Sequence, residues 1–229
     1  IGSGKHTVAE VFEHQHEYKR DSFAAPLKDA TANIFNWPRK TLEGDTDHSR
    51  HFRECVDPYW ASKLNIKNFT PRLALQIVGT ELFREHFHHK IWLDSLEHRY
   101  IAGGQKPTVI TDCRFRNELA FVKQMGGFTI RVKRGDDPHW TGLAKEAQDG
   151  DAFAGQQLAD IGIHASEWDH TGVLVDFIIE NNGTLEQFTD KVSSVAKVLS
   201  NVSKAQNQTQ TFENHHQYDI HLIVHDAWL

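Results

Sequence analysis

The sequence is poor in cysteine and has no excess of positive charge. Cys55 and Cys113 are its two cysteines, and they are far apart among 229 residues. They form neither a disulfide framework nor a zinc knuckle, which indicates a reducing compartment. The 25 Lys and Arg against 31 Asp and Glu give a net charge of −6. This argues against a general duplex-DNA binder but allows small phosphorylated substrates, which need only a local positive cluster.

Other absences narrow the possible classes of protein further. No apolar stretch approaches the length of a membrane span, and no signal peptide is visible. The chain opens at Ile1 without a methionine, inside a glycine-rich segment, so we expect residues upstream. Sixteen His residues raise the alternative of a metal-storing protein. The His86, His88 and His89 group lacks neighbouring cysteines and an HExxH pattern, so we interpret it as solvated surface.

Apolar periodicity predicts strands that alternate with helices. Residues 108–112, 128–132 and 173–179 have the pattern of buried parallel strands, and helices are expected near 27–35, 70–82, 115–125 and 185–199. The polar residues 38–68 look like a mobile excursion, and 135–172 like a loop or lid. Alternating residues 218–224 resemble an edge strand. The expected fold is α/β, with a parallel sheet flanked by helices.

The first residues resemble the end of a phosphate-binding loop. Gly2-Ser3-Gly4-Lys5 precedes a helical pattern, as in the Walker A motif, where backbone N–H groups cradle phosphates and the lysine reaches them. His6 stands where that motif has Ser or Thr, so Thr7 is the expected magnesium ligand in this loop. The alternative is a glycine-rich turn that caps an ordinary helix.

A second group follows the strand at 108–112. Asp112 lies at its carboxyl end, the edge at which open α/β sheets collect ligands. Asp112 is therefore a candidate for magnesium or for a substrate hydroxyl. Arg114 and Arg116 follow, and guanidinium groups suit phosphate because each donates two parallel hydrogen bonds. The alternative is an exposed ion pair at the start of a helix.

A third group lies on the helix that Thr70-Pro71 begins. Arg72 occupies its first turn and Gln76 is four residues further on the same face. Arg72 is a candidate clamp for a monophosphate and Gln76 a candidate reader of a base edge. Gly79 weakens the helix, so we expect another group to approach closely there. The alternative is two solvated polar residues.

These segments together resemble the phage deoxynucleoside monophosphate kinase family, in order from residue 2 to about 199. The segments that carry the resemblance are Gly4-Lys5-His6-Thr7, Ser22-Phe23-Ala24-Ala25-Pro26-Leu27-Lys28, Pro71-Arg72-Leu73 with Gln76 and Gly79-Thr80-Glu81, Trp92, Asp112-Cys113-Arg114-Phe115-Arg116-Asn117-Glu118, His164-Ala165-Ser166-Glu167 and Asn182-Gly183-Thr184-Leu185-Glu186.

The resemblance implies one P-loop kinase domain over 1–229. A monophosphate-binding insertion is expected at about 36–100 and a lid at about 135–170, while the tail at 201–229 is left unplaced. The implied reaction moves the γ-phosphoryl group of ATP, with Mg²⁺, to a deoxynucleoside monophosphate (dNMP) for phage DNA synthesis. The resemblance allows a homodimer, and implies the infected host's cytoplasm and no stable nucleic-acid or membrane binding.

The resemblance also suggests a role for each candidate residue. Residues Gly2 to Thr7 and Asn182 would bind ATP; Lys5, Asp112, Arg114 and Arg116 would act in catalysis; Thr7 and Asp112 would hold magnesium; and Lys28, Arg72, Gln76 and Arg134 would bind substrate.

Two further interpretations stay open. Residues 176–185 also resemble the last strand and base loop of dephospho-coenzyme A kinases, relatives with the same core. The incomplete loop and His6 also fit a nucleotide-binding module without turnover.

Overall fold

Five parallel strands form a sheet with helices packed against it. The computed structural model describes residues 3–209 and 220–225, and the side chains of residues 3–202. The strands are β1 (Lys19–Asp21), β2 (Thr108–Cys113), β3 (Phe128–Lys133), β4 (Phe177–Glu180) and β5 (Ile220–His225). They lie in the order β1-β2-β5-β3-β4, and every neighbouring pair is parallel. The predicted α/β class with a parallel, helix-flanked sheet is confirmed.

A helix precedes β1, and one or more helices separate each pair of successive strands along the chain. The helices are α1 (Lys5–His16), α2 (Ala25–Phe35), α3 (Asp47–Glu54), α4 (Pro58–Leu64), α5 (Pro71–Gln76), α6 (Ile91–Ala102), α7 (Arg116–Gln124), α8 (Thr141–Gln148), α9 (Ala152–Asp160), α10 (Ala165–Trp168) and α11 (Leu185–Thr209), with a 3₁₀ helix at Arg39–Leu42 and a π-helix at Ile77–Phe87.

The core of the sheet lies between β2, β3, β4 and the helices α1 and α11. Val8 and Phe12 of α1 and Phe188 and Val192 of α11 are buried there with Ile130. The helix predicted after Gly4 and the helix predicted at 185–199 are both present. The Phe12 ring meets Tyr18 edge-on, with centroids 4.9 Å apart. This packing fixes the start of α1 against the sheet.

The C-terminal strand is in the middle of the sheet. β5 pairs with β2 on one side and β3 on the other, so the expected edge strand at 218–224 is wrong in position. Residue 218 itself lies outside the described part. An alternating pattern indicates one solvent-facing side, whereas sheet position is set by long-range pairing that periodicity does not report.

Residues 135–172 are more ordered than their composition suggests. α8, α9 and α10 pack around Trp140, Ala144 and Leu158, which are buried. Asp151 caps α9, because its Oδ1 accepts hydrogen bonds from the N–H groups of Phe153 and Ala154. Of the predicted loop or lid, the loop is wrong, because three short helices form here; their apolar contacts are few and leave no clear periodicity.

Residues 38–68 are likewise helical. Thr46 caps α3 in a reciprocal arrangement with Ser49, and Asp57 caps α4 by accepting from the N–H of Trp60. A small core around Trp37 and Phe69 holds them, with Ala32, Leu42 and Ala74 also buried. The expectation of an irregular, mobile excursion is wrong about its secondary structure, since few but large aromatic side chains supply the apolar contacts.

Helix α5 begins after Thr70 as expected and continues into a π-helix. Thr70 Oγ1 accepts a hydrogen bond from the N–H of Leu73 at 3.1 Å. From Ile77 to Phe87 the helix is of the π type, a form that often marks functional sites. A Cβ at Gly79 would lie 2.6 Å from Leu27 Cδ2, and the Gly79 carbonyl accepts from Trp92 Nε1 at 2.9 Å. The predicted close approach at Gly79 is confirmed.

Backbone contacts divide the chain into two compact units. The first comprises the described residues of 1–22 and 100–229, and the second comprises residues 23–99. None of the described helices has both the length and the apolar character needed to cross a membrane.

Candidate functional site

In the first unit the carboxyl ends of four parallel strands carry the polar residues. Ser22 follows β1, Asp112 lies near the end of β2, Arg134 follows β3, and Asn181 and Asn182 follow β4. Parallel strands end at the same edge of the sheet, where open α/β sheets bind ligands. This edge is therefore the candidate site of the first unit.

The glycine-rich loop is held at this edge by a side chain that the sequence analysis missed. Asn181 Nδ2 donates to the Ser3 carbonyl at 2.8 Å. Gly4 has φ of +109°, and a Cβ there would lie 2.7 Å from both Asn181 Nδ2 and the Phe188 ring. Ser3 Oγ is buried and has no hydrogen-bond partner among the described residues. Only glycine fits at position 4, and the buried hydroxyl suits an added acceptor such as a phosphate oxygen.

Helix α1 starts directly from that loop. Gly4 is its N-cap, Lys5 is its first residue, and its first turn contains no acidic residue. The exposed backbone N–H groups and the helix dipole at such an end favour an anion. Thr7 is half-buried in the same turn. The predicted Gly2 lies outside the described residues.

His6 points along the helix surface. Its Nε2 lies 3.2 Å from Glu10 Oε1, and its Nδ1 lies 3.1 Å from Arg20 Nη1. The ring is more than half exposed. The His6 imidazole therefore has polar partners on α1 and β1.

Asp112 is joined to the end of β1. Ser22 Oγ donates to Asp112 Oδ2 at 2.6 Å, and the Ser22 N–H donates to Asp21 Oδ1 at 2.7 Å. The register of β2 against β5 shifts between Ile110 and Cys113, beside Asp112. Two carboxylates and a hydroxyl are hard oxygen donors, the type that Mg²⁺ takes. This donor set fits the implied ion.

Arg114 is fixed at three points. Its N–H donates to Glu118 Oε2 at 2.7 Å, and His170 Nδ1 lies 3.3 Å from its carbonyl. Its guanidinium Nη1 donates to Glu167 Oε1 at 2.7 Å. Glu118 and Glu167 are both buried, so a rigid shell surrounds an arginine whose side chain is one-third exposed.

Arg116 has a different environment. Its N–H donates to Asp169 Oδ2 at 2.7 Å, and its guanidinium donates to the carbonyls of Asp169 and Thr171. These bonds hold the turn after α10. Arg114 is therefore better placed than Arg116 to offer guanidinium donors to a ligand.

Asn182 and Arg134 lie at the ends of neighbouring strands. Asn182 Oδ1 accepts from the N–H of Gly135 at 2.9 Å, which ties the β4 end to the turn after β3. Arg134 itself is exposed. The sequence favoured Asn182 as the nucleotide contact, whereas Asn181 contacts the glycine-rich loop. Adjacent asparagines after a strand carry no signal of which one turns inward.

The second unit contains the other predicted substrate residues. Lys28 Nζ contacts Glu43 Oε2 at 2.6 Å, and Arg39 pairs with Glu43 and Asp29. Burial alone would raise the pKa of Glu43, but the two cations outweigh it, and its pKa lies below the ordinary value. Glu43 is therefore a carboxylate at neutral pH. Sequence spacing alone gave no reason to connect these residues.

Arg72 is paired in a similar way. Its Nε donates to Glu54 at the end of α3, within the same unit. Gln76 is half-buried one turn further along α5, next to the π-helix. Both predicted cations of this unit, Lys28 and Arg72, thus face carboxylates rather than apolar side chains. A phosphate could replace those carboxylates as partner.

Among residues 3–202, whose side chains the structure describes, no cluster of three or more His, Cys, Asp or Glu side chains could hold a metal ion. Cys113 is fully buried, and burial raises the pKa of its thiol well above the ordinary value.

Comparison with known proteins gives a consistent result. The sequence model of deoxynucleotide monophosphate kinases matches residues 48–192, more than half of the chain. The chain is 27% identical over 208 residues to a putative deoxynucleotide monophosphate kinase of Acanthamoeba polyphaga mimivirus, covering 84% of this chain and 90% of the relative. It is 49% identical over 55 residues to the deoxynucleoside-5'-monophosphate kinase of Escherichia phage T5, covering 24% and 22%.

The matched range includes Arg72, Asp112, Arg114 and the end of β4. The order of motifs along the chain and the parallel sheet agree with the match. The chain belongs to the deoxynucleotide monophosphate kinase family.

Proposed function

We propose that the protein catalyses transfer of the γ-phosphoryl group of ATP to the 5′-phosphate of a dNMP. The bond between the γ-phosphorus and the β–γ bridging oxygen breaks, an oxygen of the acceptor phosphate bonds to that phosphorus, and ADP leaves. The observation that carries the residue assignments is the carboxyl edge of the parallel sheet, where Asn181 after β4 holds the glycine-rich helix start and where a carboxylate and an arginine lie at the end of β2.

The ATP phosphates bind at the start of α1. The N–H groups around Ser3 to Thr7 and the ammonium of Lys5 are the donors. The buried Ser3 Oγ, which has no hydrogen-bond partner among the described residues, and the left-handed backbone of Gly4 at the start of α1 support this assignment. Phosphoryl transfer depends mainly on positioning and on neutralising charge over the phosphoryl oxygens, so a rigid loop is what the reaction needs.

Asp112 is the proposed magnesium ligand. Magnesium in kinases neutralises phosphate charge and is usually held by one or two carboxylates together with substrate phosphates. Ser22 orients the Asp112 carboxylate, and Thr7 offers a hydroxyl in the first turn of α1. Arg114 binds the transferred group, while Arg134 and Arg116 are secondary candidates.

The acceptor residues belong to the second unit. Lys28 and Arg72 bind the dNMP phosphate, which takes the place of the carboxylates of Glu43 and Glu54. Gln76 contacts the base. The helices of 135–170 act as a lid, which keeps water from accepting the phosphoryl group. Within the P-loop kinase plan, about 36–100 is the monophosphate-binding insertion.

Single substitutions test this assignment. Lys5→Ala is expected to lower kcat by about 100-fold or more, since it removes charge from the transition state. Arg72→Ala is expected to raise the dNMP KM by about tenfold or more while the ATP KM changes little. Lys63→Ala, which removes an exposed cation of α4, is the matched control. A folded Lys5→Ala enzyme with full activity removes Lys5 from the scheme.

Several expectations remain predictions. They are a homodimer, the absence of stable nucleic-acid binding, and action in the cytoplasm of the infected host. Turnover of dephospho-coenzyme A in place of any dNMP is the outcome that would favour the other interpretation of residues 176–185.

A further inference from the structure

Glu167 is a buried carboxylate that no step of the proposed reaction uses. It lies in α10, at the end of the segment predicted to be a lid, 53 residues beyond the arginine that it contacts. Its side chain is only 11% exposed. Burying a carboxylate is costly unless it is paired, so its contact with the Arg114 guanidinium has to persist in the folded protein.

The two oxygens of Glu167 are not equivalent. Oε1 accepts from Arg114 Nη1 at 2.7 Å. Oε2 is buried and has no hydrogen-bond partner among the described residues. A buried polar atom without a partner in a native protein needs an explanation. A second donor from the same guanidinium would satisfy Oε2 after a small rotation, and would convert one hydrogen bond into a bidentate pair.

We propose that Glu167 is a positioning residue that sets the orientation of the Arg114 guanidinium for phosphoryl transfer. This inference rests on the proposed function. The Arg114 backbone is already fixed by Glu118 and His170, so its flexible side chain is the part left to orient. Glu167 supplies that restraint from the lid segment. The lid segment therefore holds the arginine whose charge stabilises the reacting phosphoryl group.

Pairing with Glu167 leaves Arg114 able to act. A guanidinium has five N–H donors in a fixed fork, and at most two are used by one carboxylate. At least three donors therefore remain for phosphoryl oxygens. Arg114 is also one-third exposed while Glu167 is buried, so a ligand meets the arginine and not the carboxylate. Arginine placement matters because an error of about 1 Å in a reacting geometry can cost about 100-fold in rate.

Glu167→Gln tests the proposal, because the amide keeps the size of the side chain and removes its charge. We expect kcat to fall about 10- to 100-fold, with both KM values within about threefold of wild type, in steady-state assays with ATP, magnesium and the preferred dNMP. Glu167→Asp, which keeps the charge on a shorter arm, should retain an intermediate kcat. In an Arg114→Ala background Glu167→Gln should lower kcat no further, since coupled residues are not additive.

Asp176→Asn is the matched control. Asp176 pairs with Lys123, also 53 residues away, and accepts hydrogen bonds from Thr129 at the opposite, amino edge of the sheet. It should lower the melting temperature without changing kcat. Unchanged kcat in folded Glu167→Gln, or an equal further loss in the Arg114→Ala background, overturns the inference while the kinase function stands. A wild-type enzyme that phosphorylates no dNMP overturns the proposed function itself.

Discussion

Gly4 shows how a single residue fixes the geometry of the candidate site. Its φ of +109° is one that side chains rarely adopt, and both Asn181 and the Phe188 ring occupy the space of a Cβ. The sequence identified the glycine, because a glycine-lysine pair before a helix is a known phosphate-binding pattern. It could not identify Asn181, which reaches Ser3 from 178 residues away. Such a contact depends on the tertiary fold.

Gly4→Ala is therefore expected to destabilise the protein by about 1–3 kcal/mol and to weaken ATP binding at least tenfold. Calorimetric titration with ATP and thermal unfolding measure the two effects. Gly142→Ala is the control, because Gly142 lies in α8 with nothing within 4 Å of its added Cβ. It should leave binding unchanged and stabilise by about 0.5–1 kcal/mol. Normal ATP affinity in Gly4→Ala would contradict the loop assignment.

The two thiols should differ sharply in reactivity. Cys55 is exposed, whereas Cys113 is buried with a raised pKa, and the thiolate is the reactive form. Alkylation of the native protein at pH 8 should modify Cys55 alone, and denaturant should release Cys113. Mass spectrometry counts the adducts. Equal labelling of both thiols in the folded protein would show that β2 opens easily.

Among the elements of the second unit, the start of α5 was predictable from the sequence, whereas two other helices were not. The Thr70-Pro71 start of α5 was predictable, because cap and proline preferences are local. The helices at 47–54 and 58–64 were not, although Thr46 and Asp57 are ordinary caps. Their apolar contacts come from scattered aromatic residues, such as Phe35 stacked on Trp37 at 4.6 Å, and not from a periodic stripe.

The ion pairs of Glu43 join α2 to the 3₁₀ helix and should make stability depend on pH. The folded pKa of Glu43 is lowered, so its contribution is fully present above the ordinary value of 4.5 and is lost as the pH falls through the folded pKa. Glu43 is partly exposed, so the contribution is about 0.2–1 kcal/mol.

Glu43→Gln tests that contribution. The substitution should destabilise the protein at pH 7, and the difference from wild type should shrink towards pH 3, as measured by urea unfolding. Asp47→Asn, which removes the charge of a fully exposed carboxylate paired with Arg50, is the control and should have a smaller effect. A Glu43→Gln difference that is constant with pH would contradict the assigned ion pairs.

At the scale of the whole molecule, the sequence predicted the class of fold better than its topology. Strand and helix alternation made a parallel sheet expected, and β2 and β3 lie close to the predicted ranges, whereas β4 begins at Phe177, four residues later than predicted. The central position of β5 was not predictable, because pairing partners are chosen by the assembled sheet. Asp112 and Arg114 were found from their place after a strand, while Ser22 and Glu167 join them only through contacts distant in sequence.

The measurement that tests the central claim most directly is ADP release with ATP and magnesium over a panel of acceptors. The panel comprises dAMP, dCMP, dGMP, dTMP, 5-hydroxymethyl-dCMP, the matching ribonucleotides and dephospho-coenzyme A, with Lys5→Ala run in parallel. If the protein is a dNMP kinase, we expect turnover on one or more dNMPs that is lost in Lys5→Ala. ATP binding without phosphoryl transfer to any dNMP would contradict that activity.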